Sequence, residues 1–280
     1  MRFFKRLGYY LYSVLEMLVG FKNWPVLWPV FLQEQPPKLR EVQLRQPPVR
    51  IKVRGRMDIW SIKETFLDGF YTRYGIEIED GWTILDVGAG IGDFSILAAH
   101  GRPNTLVYAF EPYLESYKLL IQNLTINALD NVLAFQRALW GESGTLALDL
   151  SGGEPLQIVS QGIDQKSEIA GMETVQALSL PDFWEVHTID RVDLMKMDVE
   201  GAEYDILLQT PSESLTRIDR IIMEYHDVGE GRNHQILASF LEKEGYRVER
   251  VENLVHQDLG YLYGARLSSD RLGSSKSARP

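Results

Sequence analysis

The sequence contains no cysteine among its 280 residues. A disulfide framework, a thiolate nucleophile and a cysteine-ligated zinc ion are therefore excluded, and the composition fits a reducing compartment. The N-terminal apolar stretch is too short and interrupted to span a membrane, and it lacks the small-residue cleavage site of a signal peptide. Positive charge is not in excess either, because the net charge is −10. We therefore expect a cytoplasmic protein whose main partner is not nucleic acid.

The charge is unevenly distributed along the chain. Residues 1–56 carry eleven Lys or Arg and three Glu, a net charge of +8, which leaves −18 for the remainder. Apolar residues recur at helical spacing at the start of this basic arm. One interpretation is a helix packed on the domain or on a second copy in a homodimer. The other is an interfacial helix with Trp24 and Trp28 at the lipid headgroups, so that residues 1–30 contact the inner face of the membrane peripherally.

Three segments are predicted to lie outside the regular core. Residues 33–48 contain two Pro-Pro pairs and little periodicity, which predicts an extended linker. We therefore divide the chain into a basic extension with its linker (1–48), one domain (49–267) and a disordered polar tail (268–280). Within the domain, the polar and glycine-containing segment 151–173 is predicted to be a mobile flap.

The domain alternates apolar strand patterns with helical ones. The predicted strands are WTILDVGAG, TLVYAFEP, NVLAFQRAL, VDLMKMDVEG and RIDRIIMEYH, followed by the pair YRVERVEN and GYLYGARL. GTLALDL is predicted to add a small hairpin. Alternation of this kind predicts a doubly wound α/β sheet, parallel with an antiparallel edge. Ligands of such sheets bind beyond the carboxyl ends of the strands, where the polar residues of this sequence collect.

A glycine loop follows the first strand and indicates the class of ligand. Gly88 and Gly90 permit a tight turn and a close backbone approach, and Gly92 opens the next helix. A dinucleotide-binding loop needs a third glycine where this chain has Asp93, whose carboxylate would repel a pyrophosphate. The loop instead suits S-adenosylmethionine, which presents an amino-acid carboxylate and an amine.

Other strand ends add candidate cofactor contacts. Asp86 precedes the loop and is placed to influence the amine of the cofactor directly or through water. Glu111 ends the second strand, where an acid can accept both ribose hydroxyls. Ala138 ends the third strand and is expected on the same side.

The segments ILDVGAGIGDFSI, VYAFEP, VDLMKMDVEGAEYDIL and IIMEYH resemble the FkbM family of S-adenosylmethionine-dependent methyltransferases over about residues 50–265. The resemblance implies the seven-stranded, Rossmann-like class I methyltransferase sheet, with the N-terminal helical extension outside the match. It implies methyl transfer to a hydroxyl, often on a sugar, glycan or polyketide. The family's cofactor loop and ribose acid fall on Asp86, Gly88, Gly90, Gly92 and Glu111.

A hydroxyl is a poor nucleophile until a base takes its proton or a metal polarises it. The candidates at the fourth and fifth strand ends are Asp198, Glu200, Glu203, Glu224 and His226. We favour a metal-free site in which Asp198 or Glu224 orients His226 as general base. The alternative is a metal site, by analogy of position with catechol O-methyltransferase. Glu203 also has a plain interpretation as an acid in the first turn of a helix.

Two other functions stay open for the sequence. One is an NAD-dependent oxidoreductase on a related sheet, against which Asp93 argues. The other is a non-catalytic module that keeps the fold and binds membrane or protein through the basic arm.

Overall fold

The computed structural model describes residues 2–32, 38–72, 76–149, 157–161, 172–229, 231–253 and 258–266. The predicted tail 268–280 and most of the predicted flap 151–173 lie outside these residues. The α-helices are α1 Arg2–Gly20, α2 Leu27–Phe31, α3 Arg56–Ile62, α4 Asp93–Ala99, α5 Leu114–Ile126, α6 Leu180–His187, α7 Glu203–Gln209, α8 Ser212–Leu215 and α9 His234–Lys243. A 3₁₀ turn spans Trp24–Val26, and a π-helical turn spans Lys63–Asp68.

The strands of the described residues fall into three sheets. They are β1 Arg40–Gln43, β2 Arg50–Val53, β3 Thr83–Val87, β4 Leu106–Phe110, β5 Val132–Phe135, β6 Ala138–Trp140, β7 Gly144–Asp149, β8 Gln157–Gln161, β9 Met172–Ser179, β10 Leu194–Met197, β11 Arg220–His226, β12 Tyr246–Glu252 and β13 Leu259–Arg266. β1 and β2 form a hairpin, and β6-β9-β7-β8 form a small four-stranded sheet.

The central sheet has seven strands in the order β12-β13-β11-β10-β3-β4-β5. β13 runs antiparallel to both neighbours, whereas β11, β10, β3, β4 and β5 pair in parallel. The predicted doubly wound, seven-stranded sheet with an antiparallel edge is therefore confirmed. The chain moves outward from β3 to β5 and returns on the other side of β3 at β10. A ligand crevice is expected where the strand order reverses in this way.

The central strands are buried because apolar clusters cover both faces of the sheet. Ile84 and Leu194 belong to one cluster, while the adjacent residues Leu85 and Met195 belong to the other. Successive side chains of a strand point to opposite faces, so both neighbours in each pair must be apolar. This explains why these strands have continuous apolar runs in the sequence.

The strand predicted over NVLAFQRAL is two strands. β5 remains in the central sheet, but the chain bends at Gln136 and Arg137 and Ala138 begins β6 in the small sheet. The prediction that Ala138 ends the third strand is therefore wrong, because this residue begins a strand of another sheet. The bend occurs because β5 is an edge strand, so the chain can leave the central sheet directly after it.

The predicted linker is also wrong over its described part. β1 lies within it and pairs with β2, and the Pro47-Pro48 pair occupies the turn between them. Proline is tolerated there because turn residues need no ladder hydrogen bond. Phe21 forms a bridge with Leu44, and both side chains are buried in the cluster that covers one face of the central sheet. The N-terminal arm therefore packs on the domain along this segment.

Helix α1 is anchored on the π-helical turn by its polar side. Ser13 is buried, and Glu16 lies 3.4 Å from the Nζ atom of the fully buried Lys63. Lys63 also donates hydrogen bonds of 2.7 Å to both carboxylate oxygens of Asp68 and contacts the ring of Tyr9. Among the helices of the described residues, none combines the length and the apolar character needed to cross a membrane.

Candidate active site

A cavity of about 530 Å³ opens at the carboxyl ends of β3, β4, β10 and β11. The residues predicted for the site that line it are Gly88, Gly90, Glu111, Ala138, Asp198, Glu200, Glu224 and His226. Asp86 and Gly92 do not line it. The crevice therefore forms where the strand order reverses. It joins the predicted cofactor contacts with the predicted catalytic residues.

The loop after β3 uses glycine for two different reasons. Gly88 has a φ of 75°, and a Cβ atom there would lie 1.9 Å from the carbonyl oxygen of Asp198. Gly90 has a φ of 53°, but a Cβ atom there would meet no atom within 4 Å. Gly88 is therefore required by the packing of the loop after β10, whereas Gly90 borders space that is open to a ligand.

Glu111 is a buried acid that holds the glycine loop. Its Oε2 atom accepts a hydrogen bond of 2.7 Å from the Gly90 N–H, and its Oε1 atom accepts one of 2.9 Å from the Tyr113 N–H. Burial raises the pKa of Glu111 to about 7, although the two N–H donors and the positive charge of Lys196 oppose that rise. The carboxylate lines the cavity and could accept ribose hydroxyls there.

Asp86 lies beneath the loop and forms a buried ion pair. Its Oδ1 atom is 3.2 Å from the Nζ atom of Lys196, and its Oδ2 atom accepts a 2.6 Å hydrogen bond from the Ser95 hydroxyl. Lys196 also donates to the carbonyl oxygen of Gly88 at 2.7 Å. Burial lowers the pKa of Lys196, but Asp86 and Asp198 outweigh it and the pKa is raised. Asp86 therefore supports Lys196 and the glycine loop from beneath.

Acids cluster where β10 and β11 end. Asp198 accepts a 2.9 Å hydrogen bond from the Tyr71 hydroxyl, and Glu64 accepts one of 2.8 Å from the indole of Trp60. Burial, together with the negative charge of Asp198 and Glu64, raises the pKa of Glu224 well above its ordinary value. The pKa of Glu64 is raised to about 8, mainly by burial. Burial and mutual repulsion thus make both Glu64 and Glu224 weaker acids than an exposed carboxyl group.

His226 is held between two carboxylates. Its Nδ1 atom lies 2.9 Å from Glu203 Oε1, and its Nε2 atom lies 3.1 Å from Glu200 Oε2. Burial lowers the pKa of His226, but the two hydrogen-bonded carboxylates raise it to about 11 overall. At neutral pH the ring is therefore an imidazolium that donates from both nitrogens. His226 could therefore serve as the predicted general base only after its contact with Glu200 is broken and the ring has lost a proton.

The same geometry corrects the predicted partners of His226. Glu200 and Glu203 contact the ring, in place of Asp198 or Glu224. Glu203 begins α7 and is an acid of its first turn, as predicted, but its side chain is completely buried. Glu200 reaches the ring from a backbone with a φ of 53°, which is uncommon for a residue other than glycine.

One group of side chains could also hold a metal ion. Asp198, Glu200 and His226 each offer a ligand atom, and these atoms lie within 4.8 Å of one another. Two carboxylates and an imidazole suit manganese or zinc better than magnesium. An ion bound there would replace the contact between His226 and Glu200.

One wall of the cavity consists of residues that no sequence motif predicts. Residues from α3, the π-helical turn and the segments beside them line this wall; they include Arg54, Met57, Trp60, Glu64 and Tyr71. No motif marks them, because they reach the cavity only when the N-terminal part of the domain packs on the central sheet. The available signal is a concentration of aromatic and acidic residues just before the first strand of the sheet.

The reversed strand order, the glycine loop open at Gly90 and the acid at Glu111 define the site of a class I methyltransferase. A family model described as "Methyltransferase FkbM domain" matches residues 86–248. The match spans more than half of the chain, which therefore belongs to the FkbM methyltransferase family. S-adenosylmethionine is the methyl donor of this family and the cofactor of this enzyme, and membership argues against the alternative of an oxidoreductase.

Curated relatives agree with this assignment. Methyltransferase 1 of Beauveria bassiana is 31% identical over 202 residues, which cover 66% of this chain and 80% of the relative. The 31-O-demethyl-FK506 methyltransferase FkbM of Streptomyces tacrolimicus is 26% identical and has the same coverage of both chains. The hexuronic acid methyltransferase AglP of Haloferax volcanii is 25% identical over 63% of this chain and 70% of the relative.

Proposed function

We propose that the enzyme methylates a hydroxyl of a sugar, glycan or polyketide-type acceptor. The observation that carries this proposal is the acid cluster of Asp198, Glu224 and Glu64 in the cavity that the glycine loop borders. A hydroxyl needs a group that takes its proton, and a carboxylate such as Glu224, whose pKa is raised, suits that task when it is ionised. Two relatives support the acceptor class, since their names specify an O-linked methyl group in one case and a hexuronic acid in the other.

For the cofactor half of the cavity, we propose contacts from the glycine loop and Glu111. The open space at Gly90 admits the cofactor, and the Glu111 carboxylate accepts its ribose hydroxyls. Ala138 forms part of the apolar wall of the cavity. Gly92 and Asp86 support the glycine loop from outside the cavity. S-adenosylmethionine, when bound, supplies a sulfonium methyl group for an in-line displacement.

For the acceptor half, we propose that Asp198 and Glu224 bind the hydroxyl and that one of them takes its proton. Glu224 is a good proton acceptor when ionised, because its pKa is raised well above its ordinary value. Its ionised form would also be favoured by a nearby positive charge from the cofactor. His226 acts as a positioning residue, since its imidazolium fixes Glu200 and Glu203 around the loop that carries Asp198.

We propose that methyl transfer at this site requires no metal ion. A small hydroxylated acceptor is the proposed partner, and nucleic acid is not. For the N-terminal arm, a membrane surface and a second copy of the chain are the two candidate partners. A non-catalytic binding module is the remaining alternative function; it would bind S-adenosylhomocysteine without turning over any acceptor.

The test is turnover of a panel of sugars and macrolide alcohols by wild type, Asp198→Asn and Glu224→Gln, each with and without EDTA. We expect wild-type activity to survive EDTA and to fall by about 100-fold or more in the variant that removes the proton acceptor. Activity abolished by chelator and restored by a divalent ion would make Asp198, Glu200 and His226 metal ligands. Full activity in both variants would remove the acid cluster from the mechanism.

A further inference from the structure

Helix α1 is amphipathic in an unusual sense, because its polar side faces the protein. Ser13 and Glu16 point inward, where Ser13 donates to the backbone of Tyr9 and Glu16 pairs with Lys63. The outward side is apolar and continues onto α2. Six exposed aliphatic and tryptophan side chains of this surface, called here the arm face, are Leu11, Val14, Leu15, Val19, Trp28 and Leu32. An exposed apolar surface of this extent indicates a binding partner.

Charge distinguishes between the candidate partners. Residues 1–56 have a net charge of +8, and Glu16, the one acid among the first 22 residues, is paired with Lys63. A symmetric dimer through the arm face would bring two basic arms together, which costs free energy through like-charge repulsion. An anionic lipid surface is complementary to both features, since it accepts apolar side chains and attracts Lys and Arg.

Helix α1 approaches the rim of the cavity through Tyr10, which directly precedes Leu11 of the arm face. The ring of Tyr10 on α1 lies 5.9 Å from the ring of Trp60, which lines the cavity. Met57 also lines the cavity and is 53% exposed. The Trp60 indole in turn donates to Glu64 in the acid cluster. An apolar path thus leads from the arm to the acids.

We propose that the arm face and the rim at Met57 dock on an anionic membrane surface, so that the acceptor hydroxyl enters the cavity from the lipid side. Entry of the acceptor from the lipid side rests on the proposed function, because it names the source of the acceptor. Docking on the membrane does not rest on it, since docking needs only the apolar face and the charge of the arm.

The test uses the full chain and two matched substitutions. Val19 lies on the arm face and is 73% exposed, and Val186 on α6 is 68% exposed at a different surface. Wild type and Val186→Asp should pellet with phosphatidylcholine vesicles that contain phosphatidylglycerol, and added salt should release them. Val19→Asp should bind about tenfold more weakly or worse, because its carboxylate would lie unpaired against lipid. Met57→Asp should also weaken binding.

Other results of these experiments would overturn the proposal in whole or in part. No pelleting of wild type, or equal pelleting of Val19→Asp and Val186→Asp, would overturn the docking surface. A wild-type dimer in light scattering that Val19→Asp converts to monomer, without vesicle binding, would assign the arm face to a second copy. Unchanged pelleting of Met57→Asp would overturn the lipid-side entry. Turnover of the hydroxylated acceptors, measured in solution without vesicles, separates these results from the proposed function, which fails if wild type methylates none of them at oxygen.

Discussion

The carbonyl oxygen of Asp198 lies directly against Gly88, so that a Cβ atom at residue 88 would be 1.9 Å from it. Gly88 belongs to the cofactor loop, and Asp198 belongs to the acid cluster assigned to the acceptor. The close approach therefore fixes the distance between the two halves of the proposed active site. Lys196 reinforces it by donating to the Gly88 carbonyl from the strand that precedes Asp198.

Gly88→Ala should therefore destabilise the protein and separate the two halves of the site. We expect about 1–2 kcal/mol from the positive φ and a further ~1–3 kcal/mol from overpacking against Asp198. Urea denaturation measures the loss. Gly101→Ala is the matched control, because Gly101 has a φ of 73° and no atom within 4 Å of an added Cβ. Equal losses in the two variants would show that packing against Asp198 is unimportant.

Cofactor binding should depend on pH through Glu111. Its pKa of about 7 lies above the usual range because the carboxyl is buried. Hydroxyl donors favour the ionised form, so affinity for S-adenosylhomocysteine should be highest above pH 7 and should fall as pH decreases below it, by up to about tenfold per pH unit. Isothermal titration across this range measures the slope, and Glu111→Gln should remove it. Removing the acceptor in Glu111→Ala should weaken binding by roughly 1–3 kcal/mol. A slope that persists in Glu111→Gln would assign the titration to another group.

The buried pair of Lys196 and Asp86 should show strong coupling. Lys196→Met leaves the Asp86 carboxylate buried without its cation, which typically costs about 3–5 kcal/mol of unfolding free energy. Adding Asp86→Asn should recover part of the loss because the uncompensated charge is removed. Denaturation of the two single variants and the double variant measures the coupling. Additive losses would mean that the pair contributes no specific interaction.

His226 should stabilise the fold most at low and neutral pH. Its pKa is about 11 in the folded protein and about 6.5 when unfolded. A group whose pKa is raised on folding contributes fully below the unfolded pKa, and this contribution disappears as pH rises through the folded pKa. The stability difference between wild type and His226→Gln should therefore shrink from pH 6.5 towards pH 11. A difference that grows with pH would mean that the ring is neutral in the folded protein.

Local patterns were sufficient to predict the central sheet and much of the cavity. The glycine loop, Glu111 and the paired ends of β10 and β11 all follow from strand and turn signals within single segments. The hydrogen-bond partners of His226 could not be predicted, because Glu200 reaches the ring from a backbone with positive φ. Glutamate at this position gives no indication of that conformation. The hairpin of β1 and β2 was missed because Pro47 and Pro48 indicate a break whether they occupy a turn or a linker.

Product identity tests the central claim most directly. Methyl-labelled S-adenosylmethionine should be incubated with the enzyme and the panel of hydroxylated acceptors, and the labelled product analysed by mass spectrometry and NMR. The account predicts a label bonded to oxygen, formed by wild type and lost when the required member of the pair Asp198 and Glu224 is replaced. Label on nitrogen or carbon, or bound cofactor with no labelled product from any acceptor, would contradict it.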